Sequence, residues 1–212
     1  MTAVTTDTRI TTIEQLREVI NAPAPDSGVR RKELPFIDSH ARNFIAKSPF
    51  ALLSTSGASG RCDVSPRGDG PGFVKVLDDR TMIVPDRPGN RRLDSMENIL
   101  ENPHAGLLFL IPNVEETLRV NGRAMITADR ELLKPMEMKG KAPTLGIIIE
   151  VEELFFHCAR AFRRANLWQP DSWIDRSEIP TLGKIMADQL KLGDQVVDEI
   201  DEGLEEANRN LY

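Results

Sequence analysis

The residues best suited to chemistry in this sequence are cationic and close together. Arg91 and Arg92 follow directly on Pro85-Asp86-Arg87-Pro88-Gly89-Asn90, a run of turn formers, and precede Leu93, Met96 and Leu100 at helical spacing. That order predicts a helix beginning near residues 90–92. The first N–H groups of a helix have no intrahelical partner, and the helix dipole makes that end attractive to anions. Two guanidinium groups add planar forks of donors there. The chemistry that suits such a place is capture of a phosphate monoester, which carries about −1.5 to −2 charges near neutral pH. The same residues also fit a solvated turn whose arginines pair with Asp86 and Asp94. Residue types alone leave both readings open.

The elements that must position these groups can be read around them. From Arg61 to Arg92 the chain carries seven Lys or Arg against five Asp or Glu, so this stretch is locally positive. It holds a Pro and Gly cluster, Pro66, Gly68, Gly70, Pro71 and Gly72, followed by two short apolar runs, residues 73–77 and 81–84, joined by Asp78-Asp79-Arg80. Runs of that length with a short connection predict a hairpin. Phe50 to Thr55 and Arg61 to Ser65 read as strands before it; Ala105 to Ile111, Thr117 to Thr127 and Leu145 to His157 read as strands after it, the last bulged around Glu152-Glu153. Close, regular spacing argues for an antiparallel barrel or sandwich, because parallel strands need long crossovers. Helices are expected over 13–20, capped by Thr12, over 37–47, over 129–133, within 159–167, and in two amphipathic runs after Trp173. The expected organisation is an N-terminal helix and connector over 1–35, a binding domain over 36–170, and C-terminal packing helices over 171–212.

Composition narrows the function classes. The formal charge of −6 comes from the last stretch: from Asp194 to Tyr212 seven acidic residues face one basic one, leaving the rest balanced. A neutral body without a basic face argues against nucleic acid as a partner. No apolar run approaches a membrane span, and Met1 to Thr12 lacks the apolar stretch of a secretory signal, so no membrane partner and a cytoplasmic location are expected. Cys62 and Cys158 are the only cysteines and are expected as reduced thiols; neither they nor His40, His104 and His157 have metal-site spacing. No Gly-x-Ser-x-Gly elbow supports nucleophilic hydrolysis.

Several stretches, taken in order, resemble a known family. They are Ser48-Pro49-Phe50, Asp63-Val64-Ser65-Pro66-Arg67-Gly68-Asp69, Pro71-Gly72-Phe73, residues 85–94, and Leu118 to Ala124. Together they resemble the pyridoxamine 5′-phosphate oxidase-related flavoproteins over roughly residues 30–170. The resemblance implies a mainly β fold with added α-helices: a six-stranded antiparallel split β-barrel, flanked by helices at both termini. It also implies a homodimer with FMN between subunits. Carried over, Arg67, Arg91 and Arg92 match the basic positions that hold the FMN phosphate. Ser65 and Pro66 match the strand that runs along the flavin, Pro85 and Asp86 the strand end passed by the ribityl chain, and Thr117 a polar position on the flavin. The family's substrate-gripping Arg-x-His has no counterpart in Cys158 to Ala165, where no histidine follows the arginine. The implied activity is an FMN-dependent oxidoreductase acting on a small molecule that the sequence does not name. A non-catalytic flavin binder or redox sensor, and a deazaflavin-dependent reductase on the same fold, are the alternatives.

Overall fold

The computed structural model describes residues 8–212; Met1–Asp7, part of the stretch read for a signal, lie outside the described residues. Its centre is one antiparallel sheet built from β1 (Phe50–Ser56), β2 (Cys62–Gly68), β3 (Lys75–Val76), β4 (Thr81–Pro85), β5 (His104–Leu110), β6 (Thr117–Thr127) and β7 (Gly146–His157). The helices are α1 (Ile13–Val19), α2 (Gly28–Arg31), α3 (Ser39–Lys47), α4 (Asp94–Glu101), α5 (Arg130–Leu133), α6 (Arg160–Ala165), α7 (Leu182–Leu190) and α8 (Val197–Arg209). The strand order is β2-β1-β5-β6-β7-β4-β3, so β2 and β3 are the edges and the sheet is not closed by pairing between them. The fold is mainly β with helices and of the split-barrel type. Its seven strands exceed the six implied by the resemblance and include β3, a pair of residues opposite Ile83 and Met82.

Local sequence explains much of this. In β1 and β5 alternate residues point inward, placing Ala51, Leu53, Ala105, Leu107 and Phe109 in the core. α3 adds Ala41 and Ile45 from one face, with Ile37 buried just before its cap Asp38, which accepts from the Ala41 N–H at 2.8 Å. Pro66 has no N–H to give and lies in β2, where one side of the strand needs no partner. The bulge falls where the carboxylate pair suggested: Asn121 opposes Glu153 and Gly122 opposes Val151, leaving Glu152 over. α1 carries the full capping box at Thr12 and Gln15 yet buries nothing, leaving Ile13, Leu16, Val19 and Ile20 exposed. α7 and α8 pack on each other, and the Gly183 N–H donates to Asp201 Oδ1 at 2.7 Å.

Several boundaries differ from expectation: α3 starts at Ser39, not 37, β2 runs on to Gly68, and β3 keeps only Lys75–Val76 of the run 73–77. α4 begins at Asp94, not at residues 90–92. Arg91 has φ +57°, a left-handed conformation that a helix cannot propagate through, and the Arg92 N–H is taken by Asn90 Oδ1 at 3.0 Å. The arginine pair therefore sits on a turn ahead of the helix, not in its first turn.

Candidate functional site

β2 presents Asp63, Ser65 and Arg67 on one face, because its half-buried and exposed residues alternate strictly. That face meets the start of α4, where the buried Ser95 hydroxyl donates to Asp63 Oδ2 at 2.6 Å and lies 3.1 Å from the Ser65 hydroxyl. Arg67 completes the cluster. Its Nη2 donates to Ser65 Oγ at 3.3 Å and Ser95 Oγ at 3.2 Å, and its Nη1 to Asp86 Oδ1 at 3.2 Å. The guanidinium is thus locked across the gap between β2 and the end of β4. Asp86 is itself tied to the sheet, its N–H donating to Leu145 O at 3.0 Å.

These elements enclose a cleft of about 800 Å³. Ser65, Pro66, Arg67, Pro85, Asp86, Arg91 and Arg92, all singled out from the sequence, line it. Thr117 does not: it is buried at the start of β6 opposite His157 and is not among the residues around the cleft. The cleft also contains residues that the sequence did not single out for binding, chiefly Arg87, Ser95, Lys141 and Tyr212. Ser95, one turn beyond Arg92, could have been found from the position of the arginine pair. Tyr212 carried no such signal, since its partner Asp69 is 143 residues away in sequence.

The electrostatics are strongly paired. Arg92 grips Asp94 through Nε at 2.8 Å and Nη2 at 3.1 Å, an exposed contact of the kind the solvated-turn reading anticipates. Arg87 contacts Asp69, and Arg67 contacts Asp86. Burial pushes the Asp86 carboxyl above its ordinary range, and the Arg67 charge and hydrogen bond pull it back only in part. Burial also acts upward on Asp69, but the Tyr212 hydroxyl, the Gly70 N–H and Arg87 outweigh it and hold that carboxyl low. Arg91 is different: its guanidinium makes no hydrogen bond or ion pair among the described residues, although it lines the cleft. An arginine held in a strained backbone conformation with an unused fork is a ready contact for an anion.

The cleft fits a ligand with an anionic end and a long body, since its volume is within the usual range for cofactor sites and its cations cluster near α4. Both cysteines are free and exposed, and neither lines the cleft. Among the described residues, no helix is long and apolar enough to cross a membrane, and no group of three or more candidate ligands could hold a metal ion.

The family model described as pyridoxamine 5′-phosphate oxidase matches residues 37–158, more than half of the 212-residue chain. Among solved structures, the chain is similar to HupZ of Group A Streptococcus, at 22% identity over 57% of this chain and 93% of that one, with a TM-score of 0.46. It is similar to a putative pyridoxamine 5′-phosphate oxidase from Lactobacillus delbrueckii, at 22% identity over 58% of this chain and 98% of that one, with a TM-score of 0.45. An FMN-binding protein from Syntrophomonas wolfei matches at 13% identity over 56% of this chain and 84% of that one, with a TM-score of 0.44. No curated protein matches the chain.

Proposed function

The chain belongs to the pyridoxamine 5′-phosphate oxidase family, and from that premise we propose that it is an FMN-binding flavoprotein, an oxidoreductase acting on a small molecule, with the cofactor in the cleft between β2, β4 and α4. The observation that carries the proposal is Arg91, a guanidinium without a partner on the same cleft as Arg67 and Arg92. A phosphate entering there meets Arg91 free, Arg67 preset by two hydroxyls, and Arg92 after exchange of its exposed contact with Asp94. Exposed ion pairs are weak, so that exchange costs little.

Bound FMN would supply a two-electron redox centre, and the protein's part is to bind, orient and shield it. Ser65 and Pro66 line the side of the cleft formed by β2, and Pro85 and Asp86 the side formed by the end of β4. These are the surfaces along which the ring system and ribityl chain would lie. Thr117 is buried and outside the cleft of its own chain, so this cleft does not supply the flavin contact that the resemblance implies for it. The proposed assembly is the homodimer that the resemblance implies, and uncovered apolar residues on α1 and Val64 on β2 offer surface for it. A stable pair needs an interface of more than about 1,000 Å².

Absorbance and fluorescence of the purified protein, followed by titration of flavin-free protein with FMN and riboflavin, test the proposal. Arg92→Ala is expected to weaken FMN binding about ten- to a hundredfold, the effect of losing one hydrogen bond to a charged group, with riboflavin little changed. A protein that takes up neither flavin overturns the reading; uptake of a deazaflavin instead selects the reductase alternative on this fold.

A further inference from the structure

Arg87 differs from the other cleft arginines in how it is held. Its Nε lies 2.6 Å from Asp69 Oδ2, and the two side chains are 16% and 3% exposed, respectively. The contact is ionic, since neither atom makes an aligned hydrogen bond. The other oxygen of Asp69 accepts from the Tyr212 hydroxyl at 2.5 Å and from the Gly70 N–H at 2.7 Å. The Tyr212 ring stands 5.8 Å from the Arg87 guanidinium carbon, and a main-chain oxygen of Tyr212 accepts from Lys141 Nζ at 2.9 Å. Arg87 is therefore anchored through one nitrogen and one ring. Its Nη1 and Nη2 hydrogen-bond to nothing among the described residues, while the residue lines the cleft.

We propose that Arg87 is a preset receptor for a carboxylate on a second ligand, the substrate, which shares the cleft with the cofactor. The identification as substrate rests on the proposed function, which gives the cofactor phosphate to Arg67, Arg91 and Arg92. Three features select a carboxylate. Two parallel Nη donors match its two oxygens. The guanidinium is already immobilised, so little side-chain freedom is lost on binding. Asp69 already balances one positive charge, so the site suits a monoanion better than a doubly charged phosphate. Tyr212 is a positioning residue here, acting on the ligand through Asp69 and Arg87.

The test uses benzoate as probe and benzamide, its neutral isostere, as control, both titrated into the FMN-loaded protein and followed by the flavin difference spectrum. Wild type is expected to saturate with benzoate and to bind benzamide at least about tenfold more weakly. The double variant Asp69→Asn, Arg87→Gln removes both charges and so leaves no buried charge unpaired. It is expected to lose benzoate affinity about ten- to a hundredfold while FMN affinity stays within about twofold. Arg87→Lys keeps the charge beside Asp69 but not the fork, and is expected to lose benzoate to a similar extent even if the double variant fails to fold. Tyr212→Phe is expected to weaken benzoate by a smaller factor. The proposal is overturned if wild type does not bind benzoate at millimolar concentration, if benzamide binds equally well, if inorganic phosphate displaces benzoate at equal concentration, or if Arg87→Lys leaves benzoate affinity unchanged. It is also overturned if the double variant loses FMN but keeps riboflavin, which would put Arg87 on the cofactor phosphate. If the protein takes up no FMN, the proposed function fails by itself, and calorimetry of benzoate binding to the flavin-free protein still decides the receptor.

Discussion

Arg91 allows the backbone and the side chain to be tested separately. Its φ of +57° puts a side-chain-bearing residue in the left-handed region, where strain costs roughly 1–2 kcal/mol. Glycine removes that strain, but the greater freedom of the unfolded chain takes back about 0.4–1 kcal/mol. Arg91→Gly should therefore stabilise the flavin-free protein by roughly 0.5–1 kcal/mol, or about 1–4 °C in Tm for a chain of this size. The same change deletes the free guanidinium, so FMN should bind about ten- to a hundredfold more weakly, with riboflavin unaffected. Arg91→Ala loses the same guanidinium but keeps a Cβ in the left-handed region, so it should match the glycine variant in binding without the gain in Tm. Calorimetric melting of flavin-free proteins and parallel FMN and riboflavin titrations give all four quantities. Equal Tm values for the glycine and alanine variants would refute the strain argument, and equal losses for FMN and riboflavin would refute the phosphate contact.

Asp86 makes a pH-dependent contribution. Its folded pKa is raised by burial, so the stability it contributes is complete below its ordinary value of 3.8 and is lost as pH rises through the folded value. The Tm difference between Asp86→Asn and wild type should shift in favour of the variant as pH rises from about 3 to about 7; a shift the other way would contradict the assigned direction. Gly122 sits at the bulge where an added Cβ would lie 2.0 Å from Glu150 O, so Gly122→Ala must force β6 and β7 apart. A loss of roughly 3–4 kcal/mol, about 10 °C in Tm, is expected, and an unchanged melting curve would show that the pairing relaxes freely. Light scattering should give about 47 kDa, twice the chain mass of 23.7 kDa, whereas a monomer mass at micromolar concentration would refute the homodimer.

What the sequence determined by itself was local. Thr12 caps α1, short apolar runs mark β1 and β5, and a carboxylate pair marks the bulge in β7, because each depends on neighbours within a turn or across one pleat. The cleft was legible in part: Arg91 and Arg92 stand out by residue type after a run of turn formers, while Arg67, Pro85 and Asp86 come from the family resemblance, and all five line it. The start of α4 is not legible in the sequence because left-handed backbone usually falls on Gly or Asn, and both precede Arg91, yet the chain places it on the arginine. Only the tertiary structure decided that Arg67 meets Asp86 and Arg87 meets Asp69, that Ser95 joins β2 to α4, and that Thr117 lies away from the cleft of its own chain. It alone brings Tyr212 to Asp69 across 143 residues. Side-chain types and their periodicity are written along the chain, but proximity between distant residues depends on how the sheet curves and where the helices return, which no short window of sequence encodes.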